Sequence, residues 1–340
     1  MSVLDRYSRQ TLFAPIGKEG QERLRASSVT IIGCGALGTV LANNLCRAGI
    51  GRIVIADRDY VEMNNLQRQV LFDEDDVARH VPKAIAAAEK LRRMNSDTTI
   101  EALVEDINAD GIESLVQNTD LVLDATDNFE TRYLLNDACV KYQRPWIYSG
   151  VIASYGVTMN IVPGDTPCLR CIFPDIPLPG TTPTCDTAGV LNGIVGAITG
   201  VASTEALKIL LKSDKMSRAM FWMDVWENTC DRIEVPRQLD CLTCGQHSYE
   251  FLDSLSGASS TSLCGRNAVQ VRSGRRDITL NFPDLAERLR PVGEVSYNQF
   301  LLRFTVDSYE LTVFPDARAI IKGTDDEQVA RSVYTRYIGM

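Results

Sequence analysis

The sequence predicts an α/β protein: a doubly wound, mostly parallel Rossmann-like sheet with a structural zinc site, followed by a small α+β C-terminal domain. Three observations lead there. Apolar runs that end in polar residues alternate with helical stretches over the first 160 residues, the pattern of strand–helix–strand units. The first run closes on glycines in G-x-G-x-x-G spacing, and two C-x-x-C pairs follow downstream. The expected divisions are residues 1–250, a linker at 251–263, and a second domain at 264–340.

The first strand is Val29–Ile32, the glycine turn is Gly33-Cys34-Gly35-Ala36-Leu37-Gly38, and Thr39–Ala48 reads as a helix. Gly33 permits the tight turn, Gly35 lets a phosphate approach the backbone, and Gly38 allows close helix–strand packing. N–H groups at the helix start then face the anion. Asp57 ends the next strand, Arg52–Asp57, 19 residues after Gly38, where a carboxylate accepts from ribose hydroxyls. A glycine turn chosen for packing alone explains neither the flanking elements nor Asp57. The element implies a nucleotide without saying whether it is NAD, FAD or ATP.

Asp59 and the run Asn64-Asn65-Leu66-Gln67-Arg68-Gln69 come next, too polar for a strand and placed where open α/β sheets bind ligands. Arg68 has the fork geometry to grip phosphate oxygens. Lys83 follows Pro82 at the start of an amphipathic helix reaching Met94. A cation there opposes the helix dipole, so it is expected to serve an anion, the alternative being a solvated lysine.

Thr98–Val104 alternates as a strand and Ile112–Val116 forms a short helix. Asp120–Asn128 is an apolar strand with a polar end, which puts Asp124 and Asp127 on the same sheet edge as the glycine turn. Carboxylates there hold Mg²⁺ or a ribose. Asp127 and Asn128 also suit the cap of a helix, Glu130–Lys141. Trp146–Tyr148 and Tyr155–Val162 are further strands.

Cys168-Leu169-Arg170-Cys171 is answered after 69 intervening residues by Cys241-Leu242-Thr243-Cys244. Two such knuckles point to a tetrahedral site in which Cys168, Cys171, Cys241 and Cys244 hold Zn²⁺. Four thiolates leave no open position, so the metal is structural; reduced core cysteines are the alternative. Between the knuckles, Pro174–Thr187 reads as a surface loop carrying Cys185. Leu191–Leu211 is apolar but holds Asn192, Thr199, Glu205 and Lys208, which suits a buried helix better than a membrane span. Its Gly193, Gly196, Ala197 and Gly200 favour close helix packing, as at a dimer interface.

Ala219–Val225 and Arg232–Val235 read as strands, and Asp253–Ser262 as a flexible linker. In the C-terminal domain, strands are expected at Ala268–Val271, Ile278–Leu280, Leu301–Thr305, Tyr309–Phe314 and Ala319–Ile321. Helices are expected at Pro283–Leu289 and Glu327–Tyr337. No site is evident there.

A net charge of −9 argues against nucleic-acid or anionic-membrane binding. Met1–Arg25 is too charged for a secretory signal. Ten cysteines, four of them in the knuckles, fit a reducing compartment, so the protein is expected to be cytoplasmic and soluble.

Taken together, Arg6–Gln10, the glycine turn, Asn64–Gln69, Asp124–Asn128, both knuckles and Thr184-Cys185 resemble the E1-like adenylyltransferases of the ThiF/MoeB/HesA family. The resemblance covers about Arg6 to Cys244. It implies ATP-dependent adenylation of a ubiquitin-like sulfur carrier protein ending in Gly-Gly, with MgATP bound, in thiamin, molybdopterin or related biosynthesis. It further implies a homodimer in which Arg9 reaches the partner subunit's ATP, and a sulfurtransferase as a partner. It places at Cys185 a cysteine that bonds covalently to the carrier in some members. Val77–Pro82 departs from the Gly-x-Pro-Lys approach expected before Lys83, and residues 264–340 match no domain of the family.

The chemistry is consistent with that resemblance. A terminal carboxyl, with a pKa of roughly 3.5, is ionised at neutral pH and needs no general base to attack phosphorus. The chain has only His80 and His247 to offer. The reaction needs charge neutralisation and alignment. Arg9, Arg68 and Lys83 are assigned to phosphates, Asp127 to Mg²⁺ and alignment, and Asp57 to the ribose, with Asp59, Asn65, Gln69, Asp124 and Asn128 lining the site. A NAD(P)-dependent Rossmann oxidoreductase leaves Arg68, Lys83 and the knuckles without work. A non-catalytic E1-like scaffold leaves the intact polar set unexplained.

Overall fold

The computed structural model describes residues 5–105, 107–176, 185–254, 261–263, 267–271 and 279–338. Two compact units divide the chain: Met1–Pro177 with Ala188–Leu255, and Leu178–Thr187 with Ser256–Met340. In chain order the elements are α1 (Ser8–Thr11), α2 (Gly17–Ala26), β1 (Ser28–Ile32), α3 (Ala36–Ala48), β2 (Arg52–Ala56), α4 (Glu74–Ala78), α5 (Lys83–Met94), β3 (Thr99–Leu103) and α6 (Ala109–Gln117). Then come β4 (Leu121–Asp124), α7 (Phe129–Lys141), β5 (Trp146–Ile152), β6 (Tyr155–Ile161), α8 (Leu169–Ile172), α9 (Cys185–Ala188), α10 (Asn192–Leu210), β7 (Met220–Asp224), β8 (Thr229–Ile233) and α11 (Glu250–Ser254). The remainder are β9 (Thr261–Leu263), β10 (Ala268–Val271), α12 (Phe282–Leu289), β11 (Glu294–Tyr297), β12 (Leu302–Val306), β13 (Tyr309–Val313), β14 (Ala319–Lys322) and α13 (Glu327–Tyr337).

The first unit is built on an eight-stranded sheet in the order β3-β2-β1-β4-β5-β6-β7-β8. The first five are parallel, with β1 lying between β2 and β4. From β5 onward the pairing is antiparallel. Strand order therefore reverses beside β1, and the crevice at that switch point is where ligands of open α/β sheets bind. The glycine turn follows β1 and the Asp124–Asn128 segment follows β4, so both open onto that edge.

Alternation along the strands serves two faces. Ile31, Ile53, Ile55, Leu121 and Leu123 pack with residues of α3, α5 and α10. Ile32, Val122, Trp146 and Tyr148 pack with residues of α6 and α7 and with the four knuckle cysteines. The doubly wound expectation holds. Helix α10 is apolar enough over its 19 residues to cross a membrane. Here it lies against α3, β5 and β6, and its Glu205 bonds to Asn160 and to the Ser217 amide.

The second unit carries an antiparallel sheet, β11-β12-β13-β14-β10-β9 among the described strands. Helices α12 and α13 bury Leu285, Leu289, Val333 and Tyr334 against Val269, Phe304, Leu311 and Ile321.

Several expectations shift. β5 extends to Ile152, beyond the expected Tyr148, because seven consecutive residues pair with β6 across the Ser149-Gly150 break. β8 starts at Thr229, where pairing with β7 replaces the apolar signal read at Arg232–Val235. Leu280 is not in a strand; its amide bonds to Pro315 O at the entry to α12, and Ile278 lies outside the described residues. β11 has no apolar run, and α2 is a polar helix held by Leu24 and Gln21. Much of the Ser-rich linker and most of the Pro174–Thr187 loop lie outside the described residues.

Gly33 has φ +91°, and a Cβ there would stand 2.5 Å from Ala125 O. Gly33→Ala should cost about 2 kcal/mol or more, from left-handed strain and the clash together. The urea midpoint of purified protein measures this, with an unchanged m-value expected.

Candidate active site

The glycine turn is tied down by a chain of charge. Gly33 N donates to Ala56 O at 2.8 Å, fixing the turn to β2. Asp57, one residue past β2, accepts from the Cys34 amide at 2.6 Å and from the Asp59 amide at 2.7 Å. Burial pushes the Asp57 carboxyl up, while Lys83 pulls it down and Asp59 adds to the rise. Lys83 Nζ lies 3.3 Å from Asp59 Oδ2, and the Lys83 amide donates to Asp59 O. Lys83, at the first turn of α5, thus faces Asp59 and acts on Asp57 as well.

Gly38 carries the tightest packing. A Cβ there would lie 2.1 Å from Gly33 O, so only glycine lets α3 start against the turn. At Gly35, the N-cap of α3, a Cβ would meet only Gln69 Nε2, at 3.8 Å. The loop therefore leaves open space at the helix end whose first N–H groups lack helical acceptors. Gln69 is buried and its Oε1 has no hydrogen-bond partner. An open cradle, helix N–H groups and an orphaned amide oxygen fit a nucleotide phosphate or sugar.

The second wall is the segment after β4. Asp124, fully buried, accepts from Thr126 N and Oγ1 and from Arg132 Nε at 3.0 Å. Arg132 also donates to Thr126 O at 2.6 Å and lies over the Phe129 and Tyr148 rings. Asn128 caps α7 by accepting from Thr131 N, which leaves Asp127 exposed beside the cap.

The four knuckle cysteines converge. Cys168 and Cys241 sulfurs are 3.6 Å apart, Cys171 and Cys244 3.5 Å, and Cys168 and Cys171 4.0 Å. All are buried, with ligand atoms within 4.8 Å of one another. A tetrahedral Zn–S distance of about 2.3 Å requires sulfurs about 3.8 Å apart, so this donor set fits zinc.

Residues 7–243 match the ThiF family. The chain belongs to the ThiF family. It is 43% identical over 339 residues to the sulfur carrier protein ThiS adenylyltransferase of Bacillus subtilis, covering 98% of this chain and 99% of that one. It is 36% identical over 261 residues to the SAMP-activating enzyme E1 of Haloferax volcanii, covering 76% and 96%. The structure of E. coli MccB has the same fold, with a TM-score of 0.61 at 24% identity over 72% of this chain and 73% of that one.

Within this ThiF-family chain the predicted residues fall into groups. Gly33, Gly35, Gly38, Asp57, Asp59, Gln69 and Lys83 meet around the glycine turn. Asn65 is buried in a 3₁₀ turn, Met63–Asn65, where its Oδ1 accepts from the Glu62 amide. Arg68 donates to Asn64 O at 2.8 Å and has no ion pair among the described residues. Asp124 is enclosed, and its oxygens are held by Thr126 and Arg132. Arg9 is exposed on α1, a segment anchored by Tyr7, which accepts from Asn95, and by Gln10, which donates to Gln21 and Ala48 O. Cys185 is half-buried, opens the separate short helix α9 and falls in the second unit; α10 starts only at Asn192, past Gly189. The Val77–Pro82 departure is the end of α4 followed by a turn with His80 at φ +51°. Cys34, inside the turn, is buried, and burial pushes its thiol up, which removes it as a nucleophile.

Sequence reasoning missed Arg132. Its signal was an arginine in a stretch otherwise facing the core, eight residues after Asp124. Arg132→Leu strands the Asp124 carboxylate and should cost about 3–5 kcal/mol, read by chemical denaturation. For the metal site, native protein should hold one metal ion per chain, and Cys241→Ser should lose it and unfold at lower temperature. Metal analysis alongside thermal melting measures both.

Proposed function

We propose that the protein adenylates the C-terminal Gly-Gly carboxylate of a ubiquitin-like sulfur carrier protein at the expense of ATP. The observation that carries this is the end-to-end 43% identity to a sulfur carrier protein ThiS adenylyltransferase. The carrier carboxylate oxygen attacks the α-phosphorus of ATP, the bond to the bridging oxygen of the β-phosphate breaks, and pyrophosphate leaves. The product is an acyl-adenylate. The oxidoreductase alternative has no support among the relatives.

The residue roles follow from position and charge. The glycine turn and the start of α3 take the phosphates, with Gln69 beside them and Asn65 and Asn128 shaping the rim. Asp57 organises the turn and offers remaining lone pairs to the ribose. Lys83, Arg68 and Arg9 neutralise phosphate charge, and Asp127, exposed at the start of α7, holds Mg²⁺ and the reacting groups in line. Asp124 acts from inside, through Arg132 and Thr126. No general base is required, since the nucleophile is already ionised at neutral pH.

Zn²⁺ suits the Cys168, Cys171, Cys241 and Cys244 cluster, where it stabilises the fold. A homodimer is supported by the small-residue face of α10, Gly193, Gly196, Ala197 and Gly200, next to α3. It would let Arg9 act on the partner's ATP. No disulfide is formed by the nine described cysteines, a state compatible with a reducing, cytoplasmic setting. Cys185 is the proposed attachment point for the carrier or for sulfur delivered by a sulfurtransferase. Residues 264–340 form a separate accessory domain; the Bacillus relative aligns over this length as well.

ATP–pyrophosphate exchange should appear only when a Gly-Gly-ended carrier is added. Asp127→Ala should lower it at least about a hundredfold, the scale of a lost electrostatic contact. Cys185→Ala should leave exchange within about twofold, because adenylation uses no thiol, and should abolish any thiol-sensitive enzyme–carrier adduct.

A further inference from the structure

Helix α7 is buried on every side through its middle: each residue from Arg132 to Val140 is enclosed. Such a helix would ordinarily be apolar, since unsatisfied polar groups are costly there. Instead it carries Arg132, Tyr133, Asn136 and Asp137, at spacings that put them on adjoining faces of successive turns. Each is bonded to a different part of the unit. Arg132 grips Asp124 and Thr126 O. Tyr133 Oη donates to Phe173 O at 2.6 Å, at the exit of the first knuckle, and burial holds its pKa at about 12, so it stays a donor. Asn136 Oδ1 accepts from the Leu169 amide at 2.9 Å, between the two cysteines of that knuckle. Asp137 accepts from Thr243 Oγ1 at 2.9 Å, inside the second knuckle, and from the Phe251 amide at 3.0 Å.

Consecutive residues of one helix thus hold opposite halves of the metal cluster, while the same helix, about 14 Å toward its N-terminus, ends at Asn128 and Asp127. Between those ends the contacts are short, and the helix is confined by packing that tolerates little displacement. We propose that α7 is a rigid link through which the metal-loaded cysteine cluster positions Asp127, with Tyr133, Asn136 and Asp137 as positioning residues at the cluster end and Arg132 at the other. The idea rests on the adenylation reading only for the task it gives Asp127; the link itself is independent of it. Asn136 and Asp137 hold the residue beside one ligand cysteine of each knuckle, Leu169 and Thr243, and outer contacts that orient metal ligands commonly tune affinity 10–100-fold.

Three measurements on the full-length metal-loaded protein test this. Thr243→Val removes the hydroxyl bonded to Asp137 at nearly constant shape, and Asn136→Ala removes the acceptor for Leu169. Both should speed metal release to a chromogenic chelator at least tenfold; unchanged release would overturn the cluster end of the link. Hydrogen exchange across residues 124–132, reporting the Thr126 and Thr131 amides, should accelerate at least tenfold when the metal is stripped. It should accelerate partially in loaded Thr243→Val, which decides the matter should the stripped protein unfold altogether. Faster exchange confined to 168–171 and 241–244 would overturn the link. In pyrophosphate exchange, Thr243→Val should lower kcat with the KM for ATP held within twofold, whereas a general loss of folded protein would leave the KM and the per-active-site kcat unchanged. A wild type with no pyrophosphate exchange would instead refute the adenylation reading, leaving the first two measurements to decide the link.

Discussion

The pair of N–H groups on the Asp57 carboxylate is the interaction on which the site is built. One comes from Cys34, in the turn after β1, and the other from Asp59, on the way out of β2. Two loops from neighbouring strands are thereby fixed to each other by charge-assisted bonds about twice as strong as neutral ones. Asp59 is then held in place to receive Lys83, which sets where α5 begins. The glycines are consequences of the same closeness. Gly33 lies against Ala125 O and Gly38 against Gly33 O, distances that no side chain would survive. A carboxylate that draws backbone this tightly around itself requires residues without a Cβ at the points of contact.

The opposite wall obeys a different economy. There a buried ion pair, Asp124 with Arg132, stands where apolar residues would pack without desolvation cost. What the pair adds is direction: both partners also grip Thr126, one through its amide and hydroxyl and the other through its carbonyl. The segment from β4 to α7 is left with one geometry, and Asp127 stands beyond it in solvent. Further along the same helix, Asp137 repeats the device with neutral donors, and burial raises its carboxyl to about 6. A polar core of this kind is tolerable only because its members bond one another or the main chain.

β1, β2 and β4 were legible because they are buried on both faces and read as continuous apolar runs, each ended by a glycine or a carboxylate. The knuckles were legible because metal chemistry fixes ligand spacing in the chain. The start of β8 and the whole of β11 were not: they are exposed, so pairing with a neighbour defines them and leaves no hydrophobic trace. Asp57 was read as a ligand contact from its place at the end of a strand, and Lys83 from its place at the start of a helix. That they bond the loops beneath them is tertiary information, since the partners lie 23 and 24 residues away. Arg132, Asn136 and Asp137 escaped for a related reason. A polar residue inside a helix looks solvent-facing until the helix is known to be surrounded.

The charges assembled at the switch point constrain the chemistry as firmly as the geometry does. Asp57, Asp59 and Asp127 bring three carboxylates, and Lys83 is already engaged with Asp59. A bare triphosphate entering here brings its negative charge beside these carboxylates, against Lys83, Arg58 and Arg68, and the carrier's carboxylate would add one more negative charge. At separations of about 4 Å and an effective dielectric near 20, each unscreened like-charge pair costs about 4 kcal/mol. Two remedies are consistent with the residues present. A divalent cation at Asp127 turns one carboxylate from a repulsive group into an anchor. Guanidinium groups that the resting protein has not committed to ion pairs, such as Arg68, add positive charge without first giving up a partner. Lys83 fits the same logic in reverse. An ammonium held by a carboxylate is pre-positioned at little entropic cost, and an arriving phosphate can share it without moving the helix it begins.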